Sequence, residues 1–117
     1  AITSAYKNSP YFEFFEDEFR SFYENKYEYL FDYNTALLQT ILHILRVKKQ
    51  IEFSREFELT PTDCKDLRAL SDLNNSFDFS IKPYYQVFAD KKGFTANLSC
   101  LDALFNIGLN TINTCQI

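Results

Sequence analysis

The chain contains no tryptophan and no methionine, and its 117 residues include only two glycines, three prolines and one histidine. Two glycines cannot build a glycine-rich phosphate cradle, and neither G-x-G-x-x-G nor G-K-[ST] occurs, so P-loop nucleotide binding is excluded within these residues. H-E-x-x-H and G-x-S-x-G are absent as well. Cys64, Cys100 and Cys115 form no C-x-x-C pair and have no histidine at zinc-ligand spacing, so neither a metal nor a cofactor is expected. Their odd number fits reduced thiols in a cytoplasmic protein. Positive charge is also scarce, with 12 Lys and Arg against 16 Asp and Glu. That balance argues against a nucleic-acid surface, which needs basic residues gathered on one face. The most apolar stretch, Tyr33 to Leu45, is 13 residues long and is interrupted by Asn34, Thr35, Gln39, Thr40 and His43. It falls short of the roughly 20 residues that cross a bilayer, so no membrane span is expected. No basic segment leads into an apolar run at the start, so no secretory signal is read there. The opening Ala1-Ile2-Thr3, without methionine, is read as a piece of a longer protein or a processed product.

What the chain has in abundance is aromatic rings, 13 Phe and eight Tyr, within 46% apolar and 24% charged residues. This is the composition of a single globular domain spanning 1-117, with a core filled by flat rings rather than by flexible methionine. A chain of this length buries roughly 65% of its unfolded surface, enough for one core without disulfides or metal.

Helical periodicity dominates the first half. Ala1 to Lys7 reads as the last turns of a helix, and Asn8-Ser9-Pro10 interrupts it. A second helix is expected over Pro10 to Glu24, with Ser9 as N-cap and Pro10 in the first position. Phe12, Phe15, Phe19 and Phe22 form its apolar stripe, while Glu13, Glu16, Asp17 and Glu24 face solvent. The same stripe spacing suits a stacking platform for a ligand, but core packing accounts for it more simply. A third helix of about five turns is expected over Tyr27 to Arg46, folded back on the second as an antiparallel hairpin. Its apolar face is Leu30, Phe31, Leu37, Leu38, Ile41, Leu42 and Leu45, with His43 on the solvated side.

The second half is less regular. Gln50 to Leu59 alternates apolar and polar residues as a short strand or extended arm would. Thr60-Pro61-Thr62-Asp63 reads as a turn, and Cys64 to Leu70 as a short helical turn. Ser71 to Pro83 is a loop that leans on the core through Phe77, Phe79 and Ile81. Tyr84 to Phe88 is β-prone, and Ala89 to Gly93 suits a tight turn. A last helix is expected near Leu98 to Ile107, with Ser99 and Asp102 at capping-box spacing and Asn97 as a competing cap. Leu101, Leu104 and Phe105 make its buried stripe, and Gly108 stands where a left-handed terminating residue would. Leu109 to Ile117 reads as polar and frayed. The fold class is therefore mainly α: a helical hairpin plus a shorter C-terminal helix, irregular connections, and at most short β pieces.

Chemistry can be sought in few places. The carboxylates from Glu13 to Asp32 read as a solvated helix face rather than a glycosidase-type pair, and no neighbour makes His43 a base. Tyr84, Tyr85, Gln86, Asn97, Ser99, Asp102 and Asn106 form the one polar group that local structure does not explain at once. Hydroxyls and amides of this kind orient a sugar or amino-acid ligand, or else cap and pin the last helix.

Four blocks carry a family likeness: Ala5-Tyr6-Lys7-Asn8-Ser9-Pro10-Tyr11-Phe12-Glu13, Leu30-Phe31-Asp32-Tyr33-Asn34, Lys82-Pro83-Tyr84-Tyr85-Gln86-Val87-Phe88, and Gly93 through Gly108 with its closing "NLS-x-LD-x-LFN-x-G". In order and spacing the chain resembles the bacterial WbqC-like protein family, and the closing block is the most specific part of the likeness. Thr95-Ala96 and Cys100 depart from the pattern. The resemblance implies the C-terminal portion of a longer protein whose N-terminal half is absent. It also implies a role in O-antigen or other surface-polysaccharide biosynthesis, leaning to an acyl or aminoacyl (glycine) transferase acting on a sugar.

Carried over on that likeness, Asp102 is the expected general base and Tyr85 a hydrogen-bond donor to a developing oxyanion. Tyr6, Gln86, Asn97, Ser99 and Asn106 are the expected ligand contacts. The expected partners are a small-molecule or nucleotide-linked sugar and the missing half of the same protein. The alternative is a helical accessory module of the same pathway that catalyses nothing and works through an exposed patch of Tyr and Phe. A pocket in which Gln86, Asn97 and Asp102 converge would favour the enzyme. Side chains that only cap helices and satisfy backbone groups would favour the module.

Overall fold

A computed structural model of the chain describes residues 1–71 and 81–114. The fold is mainly α, and no strand forms among the described residues. The chain divides into two compact units, Ala1–Lys48 with Ser80–Ile117, and Lys49–Phe79.

The first unit is built around one phenylalanine. Helix α1 (Ile2–Tyr6) and helix α2 (Phe12–Glu24) meet helix α5 (Cys100–Ile107) at Phe105, which is 1% exposed. Its ring lies 5.1 Å from Tyr6, 5.2 Å from Phe12 and 5.7 Å from Phe19, the last two edge-on. Such tilted and edge-on pairs place a positive ring edge on a negative face, and burying the ring contributes about 2–3 kcal/mol. The expected stripe is therefore real: Phe12, Phe19 and Phe22 are buried, and Phe15 packs half-buried against the core.

Helix α2 begins at Phe12, two residues later than expected. Ser9 does not cap it. The Tyr11 backbone N–H donates to the Phe105 carbonyl at 3.0 Å, so the chain enters the helix already tied to α5. Ser9 is instead buried in the turn with its Oγ unpartnered. On the outer face Arg20 pairs with Glu16 at 3.3 Å and Asp17 at 3.4 Å, surface contacts worth a few tenths of a kcal/mol at about that separation.

Helix α3 spans Leu30–Ile44, shorter at both ends than the expected Tyr27 to Arg46. Its end is a Schellman motif with arginine where glycine is usual. Arg46 has φ +57, its N–H donates to His43 O at 2.9 Å, and the Val47 N–H donates to Leu42 O at 2.9 Å. The hairpin with α2 is closed near its corner by Phe22, Tyr27 and Tyr33. Further along, Leu37, Ile41, Ile44 and Leu45 pack against the Phe105 cluster. No α3 residue is fully buried, however, and Leu30, Phe31 and Leu38 of the expected apolar face are exposed.

Ala89 to Gly93, expected to be a tight turn, is a one-turn helix, α4 (Ala89–Lys92), closed by Gly93 at φ +71. Helix α5 starts at Cys100 rather than near Leu98 because Ser99 is its N-cap, its Oγ accepting from the Leu101 N–H at 3.3 Å. Asn97 sits two residues before this cap in the left-handed region, φ +57. Gly108 ends α5 at φ +59 and ψ −138, a glycine-favouring conformation outside the left-handed helical well. The tail does not simply fray: a 3₁₀ turn (Gly108–Asn110) and helix α6 (Thr111–Thr114) follow. Thr111 is buried and its Oγ1 donates to Gly108 O at 2.7 Å. Cys115 lies outside the described residues, and Cys64 and Cys100 are free.

The second unit has no strand over Gln50 to Leu59, and its helical turn is a 3₁₀ segment at Arg68–Ser71. The alternation there forms no strand among the described residues, and one side chain organises the segment. The Arg68 guanidinium forks onto Asp66, Nε to Oδ1 at 2.9 Å and Nη2 to Oδ2 at 2.6 Å. It also donates to the carbonyls of Glu58 and Leu59 and lies 4.9 Å over the Phe57 ring. The hydrogen bonds from Arg68 hold the exposed Asp66 carboxyl down at about 2. Phe77 and Phe79, expected to anchor the following loop, lie outside the described residues, while Ile81 is half-buried.

Candidate functional site

Helix α5 turns one carboxylate inward. Asp102 stands at the third helical position, where a capping box would send it back to the Ser99 N–H, yet its Oδ2 accepts from Tyr84 Oη at 2.7 Å and Gln86 Nε2 at 3.2 Å. Neither bond of the expected box therefore forms: Ser99 Oγ caps the Leu101 N–H, and the Asp102 N–H donates to Ser99 O at 2.9 Å. Asp102 is 5% exposed, and none of the salt bridges among the described residues reaches it. A buried carboxylate without a cation depends on neutral donors to replace lost water.

Gln86 supplies such a donor because its own place is fixed twice over. Its Oε1 accepts from the Thr95 N–H at 2.9 Å and its Nε2 donates to Thr95 O at 2.8 Å, so the amide pairs with the backbone as a neighbouring strand would. The α4 turn between them brings residues 86 and 95 together. Tyr84 is steadied by Phe94, rings 5.4 Å apart at 80°. From α1, Tyr6 turns its hydroxyl to the same carboxylate. Burial first, then the hydrogen bond to Asp102 and its negative charge, push the Tyr6 phenol up to about 12.

The remaining expected contacts do not join this group. Tyr85 is 58% exposed, out of step with Tyr84 and Gln86, as alternation along an extended segment requires. That period of two could have pointed to Tyr84 instead. Asn97 is exposed. Ser99 is spent on its cap. Asn106 is buried and donates to Asp102 O at 2.8 Å, one helical turn back, with its Oδ1 unpartnered. Thr95, the group's backbone partner, carries no side-chain signal for that role.

Elsewhere among the described residues the cavities include three that are well formed. One of about 410 Å³ lies against α1 and α2, lined by Ile2, Phe12, Phe19, Arg20 and Tyr23 among others, with Phe105 at its floor. One of about 310 Å³ lies at the α2–α3 corner, and one of about 700 Å³ lies in the Arg68 unit. Asp102, Gln86 and Tyr84 line none of the three. The bonds of the polar group run between α1, the 84–95 segment and α5 and can fix them to one another. Among the described residues no cluster of His, Cys, Asp and Glu could hold a metal, and no helix is long and apolar enough to cross a membrane.

No curated protein and no solved structure matches the chain. The WbqC-like protein family does match, over residues 1–78 of 117. The match covers the first two thirds of the chain and not the closing "NLS-x-LD-x-LFN-x-G" block on which the likeness leaned most. The assignment to the family's C-terminal portion is corrected accordingly, since the matched residues are α1, α2, α3 and most of the second unit. With two thirds of its residues matched, the chain belongs to the WbqC-like protein family.

Proposed function

We propose that this chain is a non-catalytic recognition module of a surface-polysaccharide pathway, working through the aromatic surface of its first unit. The observation that carries this reading is the inward bonding of Asp102 and Gln86. Gln86 closes on the Thr95 backbone, Ser99 caps α5, and Asp102 Oδ2 accepts from both Tyr84 and Gln86. A general base must reach a substrate proton, and a carboxylate 5% exposed whose Oδ2 holds Tyr84 and Gln86 serves as a latch. Large rings are meanwhile left in solvent: Tyr29 is 61% exposed and Phe31 60%. Exposed aromatic groups of this kind mark recognition surfaces. Surface-glycan display by a host whose own copy is replaced by Asp102→Asn or Gln86→Ala tests the reading. Display should follow the amount of folded protein, with no further loss.

A second reading, acyl or aminoacyl transfer to a sugar with Asp102 as base, is favoured by one feature. The carboxylate is buried with a phenol and an amide as its donors, groups that a substrate hydroxyl could replace. It requires a folded Asp102→Asn protein that abolishes display.

A further inference from the structure

We infer that the cleft at the α2–α3 corner binds the ring of a neutral pyranose sugar, an inference that rests on the polysaccharide reading above and names its ligand class. Six residues line this cleft of about 310 Å³: Phe22, Asn25, Tyr27, Tyr29, Leu30 and Tyr33. Phe22 and Tyr27 lie almost parallel, 9° and 6.1 Å apart. Tyr33 stands perpendicular to both, 6.0 Å from Phe22 and 5.3 Å from Tyr27. The three rings seal one another, so they build a firm wall and not an open box.

What the wall leaves to solvent is a platform, with Tyr27 36% and Tyr29 61% exposed. The face of an aromatic ring is negative, and the axial C–H bonds of a pyranose present a weakly positive face of matching size. The rim carries the complementary polar groups. Among the described residues the Asn25 side-chain amide and the hydroxyls of Tyr27, Tyr29 and Tyr33 make no hydrogen bond, which leaves donors and acceptors of both kinds for sugar hydroxyls. The volume sits at the small end of ligand pockets, enough for one sugar unit.

Charge excludes the other small-ligand classes. Between Phe22 and Tyr33 the sequence carries Glu24, Glu28 and Asp32 against Lys26 alone, which repels phosphorylated or carboxylated ligands. A quaternary ammonium group needs several ring faces converging on a point, and here the rings are packed on each other.

The test is saturation-transfer NMR on the full chain with methyl β-D-galactopyranoside, methyl α-D-glucopyranoside, choline and glucose 1-phosphate as probes. At least one methyl pyranoside should bind with a Kd on the order of millimolar, the range of a single ring contact with a few hydrogen bonds. Tyr29→Ala and Asn25→Ala should each weaken that binding about tenfold. Phe14→Ala, an exposed ring on α2 outside the cleft, should leave it unchanged. Tyr29 makes no ring contact among the described residues, so its loss should spare the fold, and a native circular dichroism spectrum checks this. Absence of transfer to both pyranosides, binding unaltered in Tyr29→Ala and Asn25→Ala, or stronger binding of choline or glucose 1-phosphate overturns the inference. If deletion abolishes glycan display and neither pyranoside binds, the cleft assignment alone fails. If pyranosides bind and deletion leaves display intact, the pathway reading alone fails.

Discussion

The α-carbon of Gly108 faces the ring of Tyr11 so closely that a methyl group there would stand 3.0 Å from ring carbons Cδ1 and Cε1. The same turn is tied by the Tyr11 N–H to the Phe105 carbonyl, so the entry of α2 and the exit of α5 are one joint. Gly108→Ala meets both the ring and an unfavourable φ of +59. It should cost about 1–3 kcal/mol in equilibrium urea unfolding. The double variant with Tyr11→Ala removes the clash and leaves the backbone strain, so it should lose less than the two single effects added together.

Tyr6 gives the first unit an alkaline sensitivity. Its phenol is raised from 10.0 to about 12 by burial and by the Asp102 carboxylate, so the fold favours the neutral form. The stabilisation is complete below pH 10 and is lost as pH rises from 10 through 12. Tyr6→Phe has no such titration. The stability gap between the natural chain and Tyr6→Phe should be constant below pH 10 and narrow above it, and phenolate absorbance near alkaline pH should lose one late-titrating group.

Arg46 occupies the left-handed position that closes α3, where a β-carbon is a burden. Arg46→Gly should raise the thermal midpoint, with a gain of about 1 kcal/mol. Unchanged or lower stability would mean that the arginine side chain offsets its own backbone cost.

Much of the helical frame was legible because local pattern and tertiary demand agreed there. Phe12, Phe19 and Phe22 recur at helical spacing and are the rings that reach the core. The start of α2 was not legible, because its Tyr11 N–H answers a carbonyl more than ninety residues away, at Phe105. Periodicity gave α3 an apolar face but could not say what covers it, and Leu30, Phe31 and Leu38 stay exposed. In the polar group, Gln86 and Asp102 meet as expected, while Asn97, expected to converge with them, stays exposed. The choice between a cap and an inward bond for Asp102 depended on Tyr84 arriving from another segment, which spacing within α5 cannot show. Arg68, which gathers Asp66, Glu58, Leu59 and Phe57 in the second unit, left no periodic trace at all.

The most direct measurement is surface-glycan display per unit of folded protein in a host carrying Asp102→Asn in place of the natural chain. Tyr84 and Gln86 share Asp102 Oδ2, so the substitution keeps one oxygen as acceptor for both and replaces a charged acceptor by a neutral one, a cost of about 1 kcal/mol. The latch account expects less folded protein and undiminished display from each folded molecule. A folded Asp102→Asn chain that displays no glycan would contradict it and make Asp102 part of the chemistry.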